Sequence, residues 1–442
     1  MGQDAMEQKI SALELDAQKQ KPIKGAGKIL TLLVFINILN IVDRNLIASF
    51  APQITTELNL SDFEYGLLTG LMFVFFYAVM GLFVGRLADN VNRPKLIALG
   101  LTLWSLLTVV SGASKNFVQI GVARMFIGVG ESCLTPASMS MVADMYPQRR
   151  RGAISALYYL GIPLGAGASF VIAGVLGPVL GWRNCFYILG GAGLLLVPFL
   201  FMIRDPQRGY FDVVKPDPLA QVGVLVAIKR VFALCKSRPA LGYAMIGSIF
   251  MHIPISAGSF ALLWLVRERG FAESEIQITY GILLFVFGVV GTLLGGYLSD
   301  WYQARYKGGR MRFLAWFLIL ITPLLLGYRF VSPDSPIFYI AMSAGFVSFM
   351  AFFGPVFSTV QDLSPPDMRG ITTAVLLLLS NMLGIGFGAV AVGSLSALYT
   401  SLAIAQPLTW SLITIDLLGV FTVASFWIGS VYYERDKALM PS

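Results

Sequence analysis

Long apolar stretches separated by short polar connections run along almost the whole chain from residue 29 onward. A helix that crosses a bilayer takes roughly 20 predominantly apolar residues, and stretches of that length recur throughout. The pattern therefore predicts an all-α integral membrane protein. We predict twelve transmembrane helices at residues 29–50, 65–86, 95–114, 117–144, 153–178, 184–203, 240–266, 276–299, 311–331, 336–361, 370–396 and 408–432.

The composition supports lipid as the solvent of this chain. Of its 442 residues, 56% are hydrophobic and 13% are charged, whereas soluble proteins carry roughly 25% charged residues. This excludes a soluble enzyme, a nucleic-acid binder and a secreted disulfide scaffold. Three widely spaced cysteines and a single histidine indicate neither a disulfide framework nor a metal cluster. We therefore expect no cofactor and no metal.

Lysine and arginine are distributed unevenly between the two sets of connections. An even number of helices places both termini on one side. The tails and loops of that side carry 25 of these cations, against 5 in the opposite loops. Since positively charged loops stay in the cytoplasm, we predict that both termini are cytoplasmic. We expect a multi-pass protein of the inner (plasma) membrane, with an organelle membrane as the alternative.

The longest connection, residues 204–239, divides the predicted helices into six and six. We predict one six-helix bundle over residues 29–203, a second over residues 240–433, and cytoplasmic tails at residues 1–28 and 434–442. Apolar residues interleaved with cations within the connection are typical of a helix that lies in the membrane interface. An irregular linker is the alternative.

Two stretches of sequence recur between the halves of the chain. Residues 85–89 match residues 296–300 at an offset of 211, and residues 144–153 match residues 362–371 at an offset of 218. All four stretches stand where an even-numbered predicted helix ends, on the cytoplasmic side. Two matches at nearly one offset indicate a duplicated six-helix unit.

Three motifs resemble those of the major facilitator superfamily: a cytoplasmic loop signature, a fourth-helix motif and a fifth-helix glycine motif. Asn90 and Asn92 depart from the loop signature, which usually has a basic residue and a glycine there. The glycines of the third motif favour close helix contact. The matching residues are Gly85, Leu87, Ala88, Asp89, Arg93 and Lys95; Arg124, Gly128, Gly130 and Glu131; and Gly161, Pro163, Gly165 and Gly167.

Four segments together resemble, more narrowly, the spinster family of lipid transporters: residues 37–44, 128–132, 158–165 and 205–209. The superfamily resemblance covers residues 29–433 and implies the major facilitator fold, in which two six-helix bundles rock around a central site. The narrower one implies a lipid substrate. An organic-anion branch of the superfamily also carries an Asp-Arg pair in its first helix, so small organic anions are the alternative.

Two carboxylates inside predicted spans are the candidates for proton coupling. Ionisable groups in the hydrocarbon are unfavourable, so they usually line a cavity and mark function. Asp43 in the first helix and Glu131 in the fourth each lie roughly 21 Å from the cytoplasmic boundary at 1.5 Å per residue. In the superfamily fold these helices line one cavity, where burial and mutual repulsion favour a bound proton. A static ion pair that fixes helix packing is the alternative.

Five further residues are candidates for binding substrate or balancing these charges. Three of them recur on the first helix at spacings of three and four, so they share one face. Arg124 precedes Glu131 by seven residues and lies on the same face of the fourth helix. The five candidates are Asn37, Asn40, Arg44, Arg124 and His252.

The second half lacks counterparts of the two carboxylates, because the offset of 211 places Pro254 and Met342 at their positions. We therefore expect the first half to handle ions and the second half to supply apolar wall. His252 lies near the position opposite Asp43, as a proton relay or as a packing residue. For Asp416 in the twelfth helix we expect a structural or snorkelling role.

Charged residues in the loop signature are candidates for a gating loop. Asp89, Arg93 and Lys95 stand in the first copy, and Asp300 is the counterpart in the second. The functional interpretation is a latch between the halves; the alternative is that these charges only fix topology.

These observations predict a proton-coupled carrier that works by alternating access. Its partners would be protons, membrane lipids and a lysolipid or sphingoid-type amphiphile, with small organic anions as the alternative substrate, and we expect a monomer. A membrane enzyme would need a clustered nucleophile or metal set, which the spans lack. A passive channel would not need the two carboxylates. A phosphate-binding Gly-rich loop ending in Gly-Lys-Ser/Thr is absent from the sequence, which argues against ATP-driven pumping.

Overall fold

The computed structural model of the protein describes residues 21–211, 224–365 and 368–439. Every regular element in these ranges is a helix, and none is a strand. In lipid, a helix satisfies all of its backbone hydrogen bonds within one segment, so the apolar runs of the sequence fold as helices. The all-helical prediction is confirmed.

The first half of the chain, residues 21–211, contains nine helices. Helix α1 carries the candidate residues of the first predicted span, and α6 carries those of the fourth. The helices are α1 (Ala26–Ser49), α2 (Ala51–Glu57), α3 (Asp62–Thr69), α4 (Leu71–Asn90), α5 (Arg93–Gly112), α6 (Phe117–Glu131), α7 (Leu134–Met145), α8 (Gln148–Tyr159) and α9 (Gly161–Phe201).

The second half, residues 224–439, contains eleven described α-helices, a 3₁₀ turn (Gly258–Phe260) and a π-helix (Ser380–Gly386). The π-helix interrupts the eleventh predicted span. The α-helices are α10 (Val224–Ser237), α11 (Pro239–Ala257), α12 (Ala261–Arg267), α13 (Glu273–Gln303), α14 (Gly309–Gly327), α15 (Pro336–Ala351), α16 (Phe353–Asp362), α17 (Arg369–Leu379), α18 (Phe387–Ser401), α19 (Pro407–Leu417) and α20 (Gly419–Ala438).

Eleven helical segments in the described ranges are long and apolar enough to cross a membrane, against the twelve expected. The difference arises because the fifth and sixth predicted spans join in one continuous segment of 54 residues, Gln148–Phe201. Within it, Gly181 has φ 74° and ψ 161°, a conformation that a glycine adopts without steric penalty. Pro178 stands just before it and weakens the helix there.

The chain changes direction at Gly181, since the two arms of α9 pack against different helices. A Cβ atom added to Gly167 would lie 2.6 Å from the carbonyl oxygen of Gly281 in α13, whereas one added to Gly190 would lie 2.6 Å from that of Ser105 in α5. Close contact at the fifth-helix glycines, as predicted, is thereby confirmed.

The bundle has two ends, which we name by their charged residues. At the Asp62 end, which holds Glu57, Asp62, Arg183 and Arg267, Glu57 fastens the kink of α9. Its carboxylate accepts hydrogen bonds from Trp182 Nε1 at 2.5 Å and Arg183 Nε at 2.9 Å. These two bonds, the Trp182 one foremost, lower the pKa of Glu57. The kink therefore has a fixed place at this end.

The Arg93 end is the opposite end, defined by Arg93, Asp144, Asp205 and Asp300. Helix α10 lies in the predicted connection, whose residues 212–223 are outside the described ranges. Val231 of α10 is fully buried in the core of the second half, while Lys229 and Arg230 are exposed. The helix is thus amphipathic, and its location in the membrane interface stays a prediction.

Candidate functional site

A buried ion pair joins α1 to α6 in the middle of the first half. Arg44 donates from Nη2 at 2.8 Å and from Nε at 3.1 Å to one oxygen, Oε2 of Glu131. The Glu131 side chain is 0% exposed, whereas that of Arg44 is 30% exposed. The pair therefore has one partner that is enclosed by protein and one partner that is partly exposed.

Asp43 belongs to the same cluster but has a different partner. Its Oδ2 accepts a hydrogen bond of 2.7 Å from the hydroxyl of Thr108 in α5. Glu131, Arg124 and Arg44 are the charged groups that act on it electrostatically. The two carboxylates predicted at one depth are thus neighbours, one neutralised by an arginine and one held by a hydroxyl.

Aromatic rings and a second arginine hold Arg44 in place. The guanidinium carbon of Arg44 lies 4.9 Å from the ring centre of Phe73 and 4.6 Å from that of Tyr77, both in α4. The guanidinium carbon of Arg124 lies 4.4 Å from the Phe73 ring centre, and Arg124 donates to the backbone oxygen of Arg44 at 2.7 Å. Cation–π contacts of this kind stabilise a desolvated guanidinium.

Asn37 and Asn40 lie one to two turns from this cluster and are buried. Each is 4% exposed. Asn37 donates to the backbone oxygen of Tyr158 at 2.9 Å, and its amide nitrogen lies 2.6 Å from where a Cβ atom on Gly161 would stand. The polar stripe predicted on the first helix therefore faces neighbouring helices at its Asn37 end and becomes partly exposed only at Arg44.

His252 lies in a separate, apolar cluster of the second half. Its Nδ1 is 2.7 Å from the Ser248 carbonyl oxygen, and its ring makes edge contacts with Phe352 and Phe353 at 5.6 and 5.7 Å. The π-helix packs directly on it, since a Cβ atom on Gly384 would lie 2.3 Å from the Cβ of His252. The structure does not bring His252 into the cluster of Asp43 and Glu131.

Asp416 has a partner that the sequence did not reveal. Arg329, two residues beyond the end of α14, donates to Oδ2 of Asp416 in α19 at 3.0 and 3.3 Å and stacks on Trp264 with its guanidinium carbon 4.7 Å from the ring centre. This second buried ion pair joins α19 to the segment that follows α14. The pairing fits the structural role expected for Asp416.

The gating-loop candidates divide into two clusters, one in each half. Arg93 is fully buried. It is ion-paired with Asp144 and with Asp205, the latter through Nε at 2.8 Å. Lys95 is exposed, and its backbone N–H donates to the Asn92 side chain at 3.0 Å. The Asp89 side chain lies outside the described part of the structure, so the latch stays a prediction.

The second half repeats the arrangement around Arg93. Arg310, at the start of α14, pairs with Asp300 at 2.8 Å and with Asp362 at 2.6 Å. Asp362 is the residue that the offset of 218 matches to Asp144. An arginine at the start of one helix is thus paired with an aspartate at the end of the next apolar segment in both halves.

Contacts between the two halves close the Asp62 end. Arg267 of α12 donates to Asp62 at 2.7 Å and to the hydroxyl of Thr55 at 2.8 Å, and Ser396 of α18 donates to Asp62 at 2.6 Å. The Tyr65 hydroxyl donates to the Ser259 carbonyl at 2.6 Å. Asp62 is therefore the common acceptor of two elements of the second half.

Glycines allow the backbones of the two halves to touch beside these bonds. A Cβ atom on Gly66 would lie 2.5 Å from the Ala389 carbonyl oxygen, and one on Gly393 would lie 2.2 Å from that of Asp62. Any side chain there would push α3 and α18 apart. The closed state of this end depends on these two positions.

Several residues of the site were missed by the sequence analysis. Phe73 and Tyr77 are four residues apart on one helix face, a spacing that could have predicted a stacking platform. Thr108 resembles the other hydroxyls of its span, and nothing distinguishes it locally. Asp62 and Arg267 are 205 residues apart, and nothing in the sequence around either distinguishes it from other charged loop residues.

The cluster contains no arrangement for covalent or metal chemistry. Within the residues that the structure describes, no group of three or more His, Cys, Asp or Glu side chains could hold a metal ion. The arrangement instead places the partly exposed Arg44 guanidinium beside the enclosed Glu131 carboxylate.

Comparisons with known proteins agree with a transport function. Residues 33–389 match the family model of the Major Facilitator Superfamily. An "MFS-type efflux pump" of Mycolicibacterium smegmatis is 28% identical over 431 residues, which cover 96% of this chain and 97% of that protein. The "probable sphingolipid transporter spinster homolog 1" of Arabidopsis thaliana is 27% identical over 406 residues, covering 81% and 80%.

A solved structure shares the fold over nearly the whole chain. It is that of a bacterial homologue of the human lysosomal transporter spinster, in an inward-facing and unoccupied conformation. It matches with a TM-score of 0.81 and 25% identity, covering 94% of this chain and 98% of that one.

Asp62→Asn is predicted to loosen the closed end. Loss of the charge weakens the bond to Arg267, a partly exposed pair of the kind that contributes about 0.2–1 kcal/mol, so the open population should rise by up to several-fold. Spin labels on cysteines replacing the exposed Lys115 and Asp334 report the distance across this end. Glu275→Gln, a substitution of an exposed carboxylate at the same end, is the control. Equal distance distributions in both variants would contradict a role of Asp62 in closing this end.

Proposed function

The chain belongs to the Major Facilitator Superfamily, and from that premise we propose that it is a proton-coupled carrier that moves an anionic amphiphile by alternating access. The membership predicted from its loop and helix motifs is confirmed, as is the resemblance to spinster proteins. It is a multi-pass membrane transporter and not an enzyme.

The proposed topology has twelve crossings in two six-helix bundles, with both termini in the cytoplasm. A continuous helix of 54 residues would be about 81 Å long, far more than the roughly 30 Å of a hydrocarbon core. The kink at Gly181 therefore supports two crossings in this segment. The 25-to-5 distribution of cations supports the orientation, in which the Asp62 end faces outside and the conformation is closed to the outside.

The proposed coupling of proton and substrate transport rests on one observation, the ion pair between Arg44 and Glu131. While Glu131 is ionised, its carboxylate is bound to the Arg44 guanidinium and competes there with any other anion. A proton on Glu131 removes the charge attraction and frees Arg44 for the anionic head group of a substrate. Proton and anion then favour each other's binding, which is the linkage that a proton-coupled carrier requires. Asp43, beside it, is the second protonation site.

The amphiphile is supported by the surroundings of Arg44. The guanidinium is partly exposed and is flanked by the rings of Phe73 and Tyr77, so a charged head would meet apolar surface directly beside it. A relative is named as a probable sphingolipid transporter. Small organic anions are the second candidate, because the same guanidinium would bind a short carboxylate equally well.

A monomer is the proposed working unit. In the superfamily fold both bundles that rock against each other stand in one chain, and the contacts that close the Asp62 end join the halves of this chain. A second subunit is not needed to complete the site.

The topology predicts opposite accessibility for two exposed positions. In a background lacking Cys133, Cys185 and Cys235, a cysteine replacing Ser61 should react with an impermeant thiol reagent in intact cells, because it lies at the outer end. A cysteine replacing Gln207 should react only after the cells are opened. The reverse pattern would overturn the orientation.

Asp43→Asn and Glu131→Gln are each predicted to reduce pH-gradient-driven transport to background. Each removes a titrating group with little change of shape, so the folded protein and equal-pH exchange should persist. Uptake of labelled oleoyl lysophosphatidate into proteoliposomes, with and without a gradient, measures both. Asp334→Asn, a substitution of an exposed carboxylate, is the control. Full gradient-driven uptake in either test variant would reduce that residue to a structural role.

Affinity is predicted to rise with acyl length in a lysophosphatidate series. Burial of a methylene contributes about 0.8 kcal/mol, or up to about fourfold in Kd. In a Glu131→Gln background, Arg44→Met should remove the preference for anionic over neutral head groups, without leaving an unpaired buried carboxylate. Binding measured by tryptophan fluorescence tests both points. A flat response to chain length, with strong uptake of lactate, would favour the organic-anion alternative.

A further inference from the structure

Four buried polar atoms between the ion pair and the Arg93 end have no partner. They are completely or almost completely enclosed, with residue exposures between 0% and 4%. Among the described residues none of them meets a hydrogen-bonding group with suitable geometry. The atoms are Oε1 of Glu131, Nδ2 of Asn40, Oγ of Ser138 and the Tyr158 hydroxyl.

Three of these atoms, those of Glu131, Asn40 and Ser138, belong to two columns of polar side chains that run from the ion pair toward the Arg93 end. On α1, Asn40 and Asn37 come four and seven residues before Arg44; across α6 and α7, positions 135 and 138 come four and seven residues after Glu131. At about 1.5 Å per residue, the first step lies about 6 Å and the second about 10 Å below the pair.

The two columns run in the same physical direction although their helices are antiparallel. Helix α1 begins and α7 ends at the Arg93 end, where the Ile23 N–H donates to the Met145 carbonyl at 3.1 Å. Tyr158 closes the columns from the third side. Its backbone oxygen accepts from Asn37, and its hydroxyl lies near those of Ser138 and Thr135 without forming a well-aligned hydrogen bond.

Packing alone does not explain this group of side chains. A polar residue that holds helices together does so through bonds to protein, as Thr108 does with Asp43. A buried donor or acceptor left without a bond is unfavourable by about 1–3 kcal/mol, and native proteins satisfy such groups with ordered water. Four of them within two helical turns supply the two to four polar partners that an ordered water needs.

We propose that Asn40, Ser138 and Tyr158 hold a chain of water molecules that carries protons to and from Glu131 on its side toward the Arg93 end. The inference rests on the proposed proton coupling and assigns its route. In each step one oxygen gains a proton and passes another on, so one O–H bond forms and one breaks. Hydroxyls can both donate and accept, and no further reactant is needed.

The route is separate from the substrate site. Arg44 is 30% exposed, whereas Oε1 of Glu131 is fully enclosed and has no partner among the described residues. The charged groups facing Glu131 are Arg44 and Asp43 from α1 and Arg124 from its own helix. An amphiphile on Arg44 would cover the direct way to Glu131 but leave the path along Ser138 open.

Tyr158→Phe and Ser138→Ala test the route. Each should slow pH-gradient-driven uptake of oleoyl lysophosphatidate, and the accompanying proton flux reported by trapped pyranine, by about tenfold. Exchange at equal pH, which needs no net proton movement, should stay within about twofold. Because neither hydroxyl forms a well-aligned hydrogen bond to protein, the melting temperatures should hardly change. Tyr159→Phe is the matched control, since this neighbouring tyrosine is 43% exposed.

The outcomes separate this inference from the function on which it rests. A wild-type protein that moves the probe without proton flux would contradict both. Normal coupling in the wild type and in both variants would overturn the water path alone. An equal loss of exchange and of gradient-driven uptake would show that the two hydroxyls shape the substrate site, and would also overturn it.

Discussion

The ion pair between Arg44 and Glu131 is the interaction on which the site depends. A charge inside a membrane protein is unfavourable unless it is paired, and Arg44 and Glu131 neutralise each other. The pair can therefore open at low free-energy cost in only two ways: Glu131 takes a proton, or another anion replaces it. Both events are the elementary steps of a coupled carrier.

The rest of the first half is arranged around that constraint. Arg124 binds the backbone at Arg44, Phe73 and Tyr77 stack on the guanidinium, and Thr108 satisfies Asp43 so that the second carboxylate leaves Arg44 to Glu131. The second half contains a different ion pair, Arg329 with Asp416, and has Pro254 and Met342 at the positions that correspond to Asp43 and Glu131. Its role lies in the closure of the Asp62 end, where Arg267 and Ser396 meet Asp62.

Helices, family and charged cluster could all be predicted from the sequence, because each depends on residues close together in the chain. Apolar length predicts a helix, and depth along a helix placed Asp43 beside Glu131. The described residues form eleven separate apolar helical segments instead of the twelve predicted. The reason is Gly181, whose positive φ turns the backbone within one continuous helical segment.

Ion pairs between residues that are far apart in the chain could not be predicted from the sequence. The partner of Asp416 proved to be Arg329, and that of Asp62 proved to be Arg267, because only the packing of helices brings these residues together. The burial of Asn37 and Asn40 was missed for a related reason. A shared helix face was predicted correctly, but which neighbour covers it depends on where α8 packs.

The most direct test of this account is to count the protons exchanged when purified protein binds an anionic amphiphile. In weakly buffered micelles, oleoyl lysophosphatidate should displace Glu131 from Arg44, and the abandoned carboxylate should take up about one proton per ligand bound. Glu131→Gln should bind the same ligand with no such uptake. Tight binding by the wild-type protein with no proton uptake, or with proton release, would contradict the claim that Arg44 is shared between Glu131 and the substrate.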